Sequence, residues 1–180
     1  MHSNRVVHTV GHSTRTAEEL IAELRAAGVE MLVDVRRFPA SKRHPQHNRG
    51  ALERALADAG LAYVWLGESL GGRRRQTVPT EQSRNNGWEV AAFRYYADAM
   101  STPEFQAGIA ALETLARARP TAFMCAERLW WSCHRRLIAD LLTVRGWSVV
   151  HLLDVGKQQP HQLTEFARVD DDELTYPSLV

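Results

Sequence analysis

Two cysteines are all that this 180-residue sequence contains, too few for the disulfide scaffold of a small secreted domain. No apolar run approaches the eighteen or so residues that cross a bilayer, so no membrane partner is expected. There is no charged start followed by an apolar signal core, and the chain is expected to be cytoplasmic with its thiols reduced. Net charge is scarce as well: 22 Lys and Arg oppose 21 Asp and Glu, a formal +1, which at the level of the whole chain asks for no polyanionic partner. Internal repeats, low-complexity tracts and linkers are lacking, which leaves one domain over 1–180 as the expectation.

What is present is a hydrophobic fraction of 44%, enough at this length for one sizeable core. The charge is also unevenly spread. From Arg36 to Arg75, nine Lys or Arg stand against Glu53, Asp58 and Glu68, a local +6 that leaves −5 elsewhere. A concentrated positive segment points to an anionic ligand nearby.

Along the chain, apolar runs of strand length alternate with helical patterns. Val6 to Val10 reads as a strand. A helix follows with Ala17, Leu20, Ile21 and Leu24 on one face, opened by a Thr16/Glu19 capping box and closed by Gly28. Met31 to Val35 and Leu61 to Leu66 read as strands around a helix over Ala51 to Asp58. The stretch 67–87, rich in Gly and Asn, predicts a long, exposed and mobile loop. Helices are expected over Val90–Met100 and Pro103–Ala118, the second capped by Thr102. A strand over Thr121–Met124, a helix over Cys133–Val144 and a strand over Trp147–Leu153 complete the series, and the acidic tail 165–180 is expected to be loosely held. The pattern predicts an α/β fold: a single domain with a mostly parallel sheet of about five strands and helices on both faces.

Ligands of such sheets bind beyond the carboxyl ends of the strands. Four polar motifs fall there: Gly11-His12-Ser13, Asp34-Val35-Arg36, Cys125-Ala126-Glu127 and Cys133-His134-Arg135. On a helix turning about 100° per residue and counted from Cys133, the face of Leu137, Ile138, Leu141 and Leu142 centres near about 90°. His134 falls within about 10° of that centre, pointing inward. Arg135 borders the face and Arg136 is expected in solvent. Ser132 is a candidate N-cap, which would put Cys133 in the first turn, where the helix terminus and Arg135 lower a thiol pKa. The competing reading of Cys125 and Cys133 is core packing, and that of His134 is a buried histidine bonded to a carbonyl. Glu127 is an acid–base candidate, an anchor for Arg36 or Arg135, or a surface residue. His12 lies in a turn whose amides could face an anion. Asp34 and Arg36 offer either a buried carboxylate and an anion fork or a structural ion pair. Trp130-Trp131 would wall a pocket, stack a base or pack the core.

Spacing excludes several chemistries. Six positions after the cysteines stand Trp131 and Ala139, so no phosphatase-type loop is present. Gly67, Gly71 and Gly72 match neither a dinucleotide fingerprint nor a P-loop. The Cys, Glu and His residues have no paired zinc spacing, and no metal or cofactor is expected.

The motif set, together with Pro39 and Ser41 after Arg36 and with Leu70-Gly71-Gly72, resembles the domain of unknown function 488 family from about Val6 to Leu152. The resemblance implies one intact domain and a shared role for the motif residues. The reading that follows is an enzyme, a hydrolase or transferase, acting on an anionic small molecule or nucleotide-like ligand. Its catalytic candidates are His12, Asp34, Cys125, Glu127, Cys133 and His134, with Ser13, Arg36, Ser41 and Arg135 binding substrate. The alternatives are a nucleic-acid-binding module using segment 36–75, with Trp130 or Trp131 stacking a base, and a scaffold whose motifs only tie elements together.

Overall fold

The computed structural model describes residues 5–179. Strand β1 (Val6–Gly11) is the first apolar run. Helix α1 (Ala17–Ala26) starts at the capping box: Thr16 Oγ1 accepts from the Glu19 amide at 3.1 Å, and Glu19 Oε2 accepts from the Thr16 amide at 2.9 Å. Gly28 ends it at φ +71°, the left-handed position that glycine fills without strain. Strands β2 (Met31–Asp34) and β3 (Ala62–Trp65) flank α2 (Arg49–Asp58).

The segment 67–87 is more than an exposed loop. It contains the single-turn helix α3 (Gly67–Leu70) and a 3₁₀ turn at Thr80–Gln82, and Leu70 is fully buried with its carbonyl bonded by Tyr96 OH at 2.6 Å. A lone apolar anchor has no periodicity, so the pattern there reads as loop.

Helices α4 (Ala91–Ala99) and α5 (Pro103–Ala118) follow, with Thr102 Oγ1 accepting from the Phe105 amide at 3.3 Å and Pro103 in the first turn. The chain continues through β4 (Thr121–Cys125), α6 (Arg135–Val144) and β5 (Ser148–Asp154). Helix α6 begins two residues later than expected. Trp130–Ser132 forms a 3₁₀ turn and Cys133 is extended at φ −133°, ψ 153°, so Ser132 does not cap the helix and Cys133 is not in its first turn. Arg135, expected at the border of the apolar face, is the largest fully buried side chain, 1% exposed. Arg136, expected in solvent, is half-buried, donating to Thr164 Oγ1 at 2.9 Å with its guanidinium 5.0 Å from the Trp88 ring centre.

The chain after β5 supplies three strands that hydrophobic pattern does not mark. Strand β6 (Lys157–Pro160) consists of three polar residues and a proline, all exposed, as suits a sheet edge. Strands β7 (Arg168–Asp170) and β8 (Glu173–Thr175) make a hairpin whose turn residues Asp171 and Asp172 both have positive φ, at 48° and 66°, the mirror-image turn that matches strand twist. Beyond it Tyr176 is buried, its hydroxyl donating to Asp140 Oδ2 at 2.8 Å.

The main sheet runs β3-β2-β4-β1-β5-β6, with the first five strands parallel and β6 antiparallel to β5. Alternate strand residues enter two apolar clusters. Val10, Leu32, Ala122, Met124 and Leu152 pack with Leu20 and Leu24 of α1 and Leu52 and Leu56 of α2. Val7, Val33, Phe123, Cys125 and Val149 pack with Phe105, Ile109 and Leu112 of α5 and Leu137, Ile138 and Leu142 of α6. Successive strand side chains point to opposite faces, so the two helix pairs cover opposite sides. From β1 the chain moves two places one way to β2, and from β4 two places the other way to β5. It therefore leaves those neighbouring strand ends in opposite directions, which opens a crevice between them.

Candidate functional site

The carboxyl ends of β1, β2 and β4 are in register, with Gly11 opposite Cys125 and Asp34 opposite Met124. The motifs that follow them therefore share one edge. Gly11 is required there: a Cβ on it would lie 1.8 Å from Glu127 O and 2.9 Å from Arg135 Nη2, so only glycine lets the segment after β4 cross the end of β1. The amides of His12 and Ser13 donate to Cys125 O at 3.0 Å and Ala126 O at 2.9 Å. They extend the strand pairing instead of facing an anion, contrary to the reading of this turn from sequence.

Asp34 is fully buried and accepts four bonds: from the Arg36 amide (3.0 Å), Arg36 Nε (2.9 Å), Arg36 Nη2 (2.7 Å) and Tyr63 OH (2.6 Å). Arg36 also donates through Nη2 to His47 O at 2.8 Å, and its Nη1 lies 3.1 Å from His12 Nε2. Because a guanidinium can only donate, His12 Nε2 is the acceptor and its Nδ1–H bonds Ser13 O at 2.9 Å. Burial lowers the His12 pKa to about 3 and keeps the ring neutral; it packs against the His47 ring, centroids 4.2 Å apart and planes tilted by 30°. Arg36 is thus a structural fork on Asp34, and both His12 nitrogens have protein partners.

Arg135 organises a second knot. Its Nε donates to Cys125 Sγ at 2.9 Å, Nη1 to Thr9 Oγ1 at 2.8 Å, and Nη2 to Glu127 O at 2.6 Å and Arg128 O at 3.3 Å. This explains its burial on a face where helical phase alone set it at the rim: three neighbouring segments supply acceptors that follow no helical period. Arg135 holds the main-chain carbonyl of Glu127, not its carboxylate, so that carboxylate is not an anchor. The two sulfurs lie 2.7 Å apart. Burial pushes the Cys125 thiol well up, reinforced by its bond to Cys133. Burial pushes Cys133 up too, but the bond from Cys125 and the Arg135 charge and N–H outweigh it and hold Cys133 below an ordinary thiol.

His134 is half-buried. Its Nε2–H donates to Val35 O at 3.1 Å, which leaves the Nδ1 lone pair facing Cys133 Sγ at 3.5 Å. Burial lowers its pKa. The carbonyl-bonded reading of this residue therefore holds, and it also touches a thiol.

Residues the motifs do not contain extend the Arg135 knot. Thr9 Oγ1 bonds His151 Nδ1 at 2.8 Å, His151 Nε2 bonds His161 Nδ1 at 2.9 Å, and His161 Nε2–H donates to Asp140 Oδ1 at 2.8 Å. Burial lowers the His151 pKa to about 2 and keeps that ring neutral. Trp130 stacks on His151 at 4.2 Å with an interplanar angle of 1°. A histidine interrupting the apolar run Val149 to Leu152, and Asp140 interrupting Leu137 to Leu142, were the available signals.

An open cleft of about 800 Å³ lies over these knots, lined by His12, Ser13, Thr14, His44, Glu127, Arg128, Trp131 and Ser132 among others. Glu127, Arg128 and Trp131 are exposed, and Ser13 sits at φ +51°, strained for a residue with a side chain. Neither sulfur lines the cleft, nor do Asp34, Arg36, His134 or Arg135. Ser41 is outside it as well: its hydroxyl accepts from the Arg43 and His44 amides, both at 3.2 Å, folding the basic loop on itself. A larger cleft of about 900 Å³, lined in part by Asp98, Glu113 and Arg145, contains no motif residue. Among the described residues there is no group of three or more His, Cys, Asp or Glu arranged to hold a metal, and no helix long and apolar enough to cross a membrane.

No curated protein and no solved structure matches the chain. A family model matches residues 16–142, which includes the motifs at Asp34, Cys125 and Cys133 and leaves Gly11-His12-Ser13 just before it. The match covers well over half of the sequence, and the chain belongs to the family described as Domain of unknown function DUF488.

Proposed function

We propose that this chain is an enzyme that acts by hydrolysis or group transfer on an anionic, nucleotide-like small molecule held in the cleft at the carboxyl edge of the sheet. The observation that carries the reading is the content of that cleft: an exposed carboxylate (Glu127), a hydroxyl on a strained turn (Ser13), a cationic Arg128 and an exposed indole (Trp131) at one strand crossover. Trp131 stacks a flat ring, Arg128 and His44 face the anion, and Glu127 moves the proton. Asp34, Arg36, His12 and Arg135 hold the walls in place. The test is thermal denaturation with nucleoside monophosphates and with the parent nucleosides. At a hundred times Kd a ligand should stabilise the fold by about 2.7 kcal/mol. The phosphate-bearing ligands should do so more than the nucleosides, with the effect lost in Trp131→Ala, and Glu127→Gln should bind without turning over. No shift with any nucleotide, or an equal shift in Trp131→Ala, overturns the assignment.

A nucleic-acid-binding reading is favoured by one surface feature. Phe38 is 63% exposed with the Arg73 guanidinium 5.9 Å from its ring centre, and Lys42, Arg43, Arg49 and Arg75 of the same basic segment are exposed. Arg74 does not belong to that surface, since it bonds Ser69 O and Gly71 O. Under this reading, Arg73→Ala with Arg75→Ala lowers the salt slope of RNA or DNA binding by about two. An unchanged slope removes it.

A further inference from the structure

We propose that Cys125 and Cys133 form a redox-active dithiol that a small hydroperoxide oxidises to an intramolecular disulfide and that thiol reductants reopen. The inference does not depend on what the cleft binds. Its basis is geometric. Cys125 closes β4, and Cys133 stands between the 3₁₀ turn and α6; both are free, and their sulfurs touch at 2.7 Å with no atom between them. A disulfide needs about 2.05 Å, a closure of less than 1 Å. Cys133 Sγ receives the Arg135 backbone N–H at 3.4 Å and faces His134 Nδ1 at 3.5 Å, while Cys125 Sγ receives Arg135 Nε at 2.9 Å. A fixed guanidinium and amide N–H on two touching sulfurs is the environment that favours a thiolate.

The asymmetry assigns the order of events. Cys133 gives its proton to His134 Nδ1, and its thiolate attacks the terminal oxygen of the hydroperoxide ROOH. The O–O bond breaks, and the departing RO⁻ takes the proton back from His134 to leave as ROH, giving Cys133 sulfenic acid. Cys125 Sγ then attacks the Cys133 sulfur, its thiol proton leaves with the hydroxyl as water, and the S–S bond forms. The sum is two thiols and one ROOH to one disulfide, ROH and water. The two cysteines are only 2% and 4% exposed, which shuts out a bulky disulfide such as oxidised glutathione and restricts the oxidant to a molecule as small as a hydroperoxide. The segment between them carries Glu127 and Trp131, so the bond would close a loop around the cleft-lining residues.

The experiment is intact-mass analysis of the reduced, folded protein exposed to hydrogen peroxide, then denatured in iodoacetamide. The expected product is a monomer lighter by about 2 Da with no alkylated cysteine, formed at least about tenfold faster than in urea-unfolded protein and restored by dithiothreitol. Oxidised glutathione should act far more slowly. In Cys125→Ser, peroxide should leave a dimedone-trappable sulfenic acid, a gain of about 16 Da before trapping; in Cys133→Ser, Cys125 should stay unmodified. Wild type that keeps two alkylatable thiols, or closes no faster folded than unfolded, overturns the proposal without reference to any variant. Preferential oxidation of Cys125 in Cys133→Ser overturns the assigned order.

Discussion

Asp34→Asn is the sharpest test of how this site is held. Each Asp34 oxygen accepts from two donors: Oδ1 from the amide and Nε of Arg36, and Oδ2 from Arg36 Nη2 and Tyr63 OH. An asparagine has nearly the same shape, yet whichever way its amide turns, the NH₂ faces at least one N–H of Arg36, which can only donate, and the negative charge opposite Arg36 is gone. Asp34 is fully buried and Arg36 only 7% exposed, so water does not replace the lost acceptor. Breaking a buried pair from one side costs about 3–5 kcal/mol. At a urea slope of about 2 kcal/mol/M the midpoint should fall by about 1.5–2.5 M. Tyr63→Phe is the control, since it removes one bond and leaves the pair intact, for a cost of about 1 kcal/mol. Urea unfolding followed by tryptophan fluorescence gives both numbers. If Asp34→Asn costs less than about 1 kcal/mol at an unchanged slope, Arg36 is not held by this carboxylate and the account of the His12 wall fails with it.

The buried histidines predict acid sensitivity. His12 and His151 sit at about 3 and about 2 in the fold because burial disfavours their charged forms, against an ordinary 6.5. The unfolded chain therefore binds more protons below that value. Stability should be level above pH 6.5 and fall as pH drops toward about 3, by up to about 1.4 kcal/mol per pH unit for each ring; His12→Gln should flatten the curve by one ring's share, and a midpoint that rises between pH 6.5 and 5 contradicts this. Gly11→Ala should destabilise the fold by about 1–3 kcal/mol or more, because its methyl meets the Glu127 carbonyl at 1.8 Å. The same substitution at Gly28 would change stability through backbone strain alone, since nothing lies within 4 Å of a Cβ there; urea midpoints for the pair separate crowding from strain, and equal crowding signatures would refute the close approach at Gly11.

Local rules carried much of the fold. The Thr16/Glu19 box, Gly28 and the Thr102-Pro103 start are set by neighbours three or four residues away, and such signals survive without knowledge of the tertiary structure. Parallel strands buried on both faces announce themselves as short apolar runs, which is why β1, β2, β4 and β5 were legible. Strand β6 and the tail hairpin were not, because one is a polar edge and the other turns through two acidic residues at positive φ. The site divides in the same way. Glu127 and Ser13 line the cleft as candidates for contact with substrate, whereas Arg36 and Arg135, read as anion holders, direct their donors at the protein.

By itself, then, the sequence determined the alternation of the main strands and helices, the starts of α1 and α5, and the shared edge on which the four motifs fall. These depend on periodicity and on contacts within one turn of chain. Only the tertiary structure decided that β1 lies between β4 and β5. That order sets Thr9 beside His151 across 142 positions and hands Arg135 its acceptors on separate strands. Burial and pairing of that kind are properties of strand order, and no local pattern encodes them.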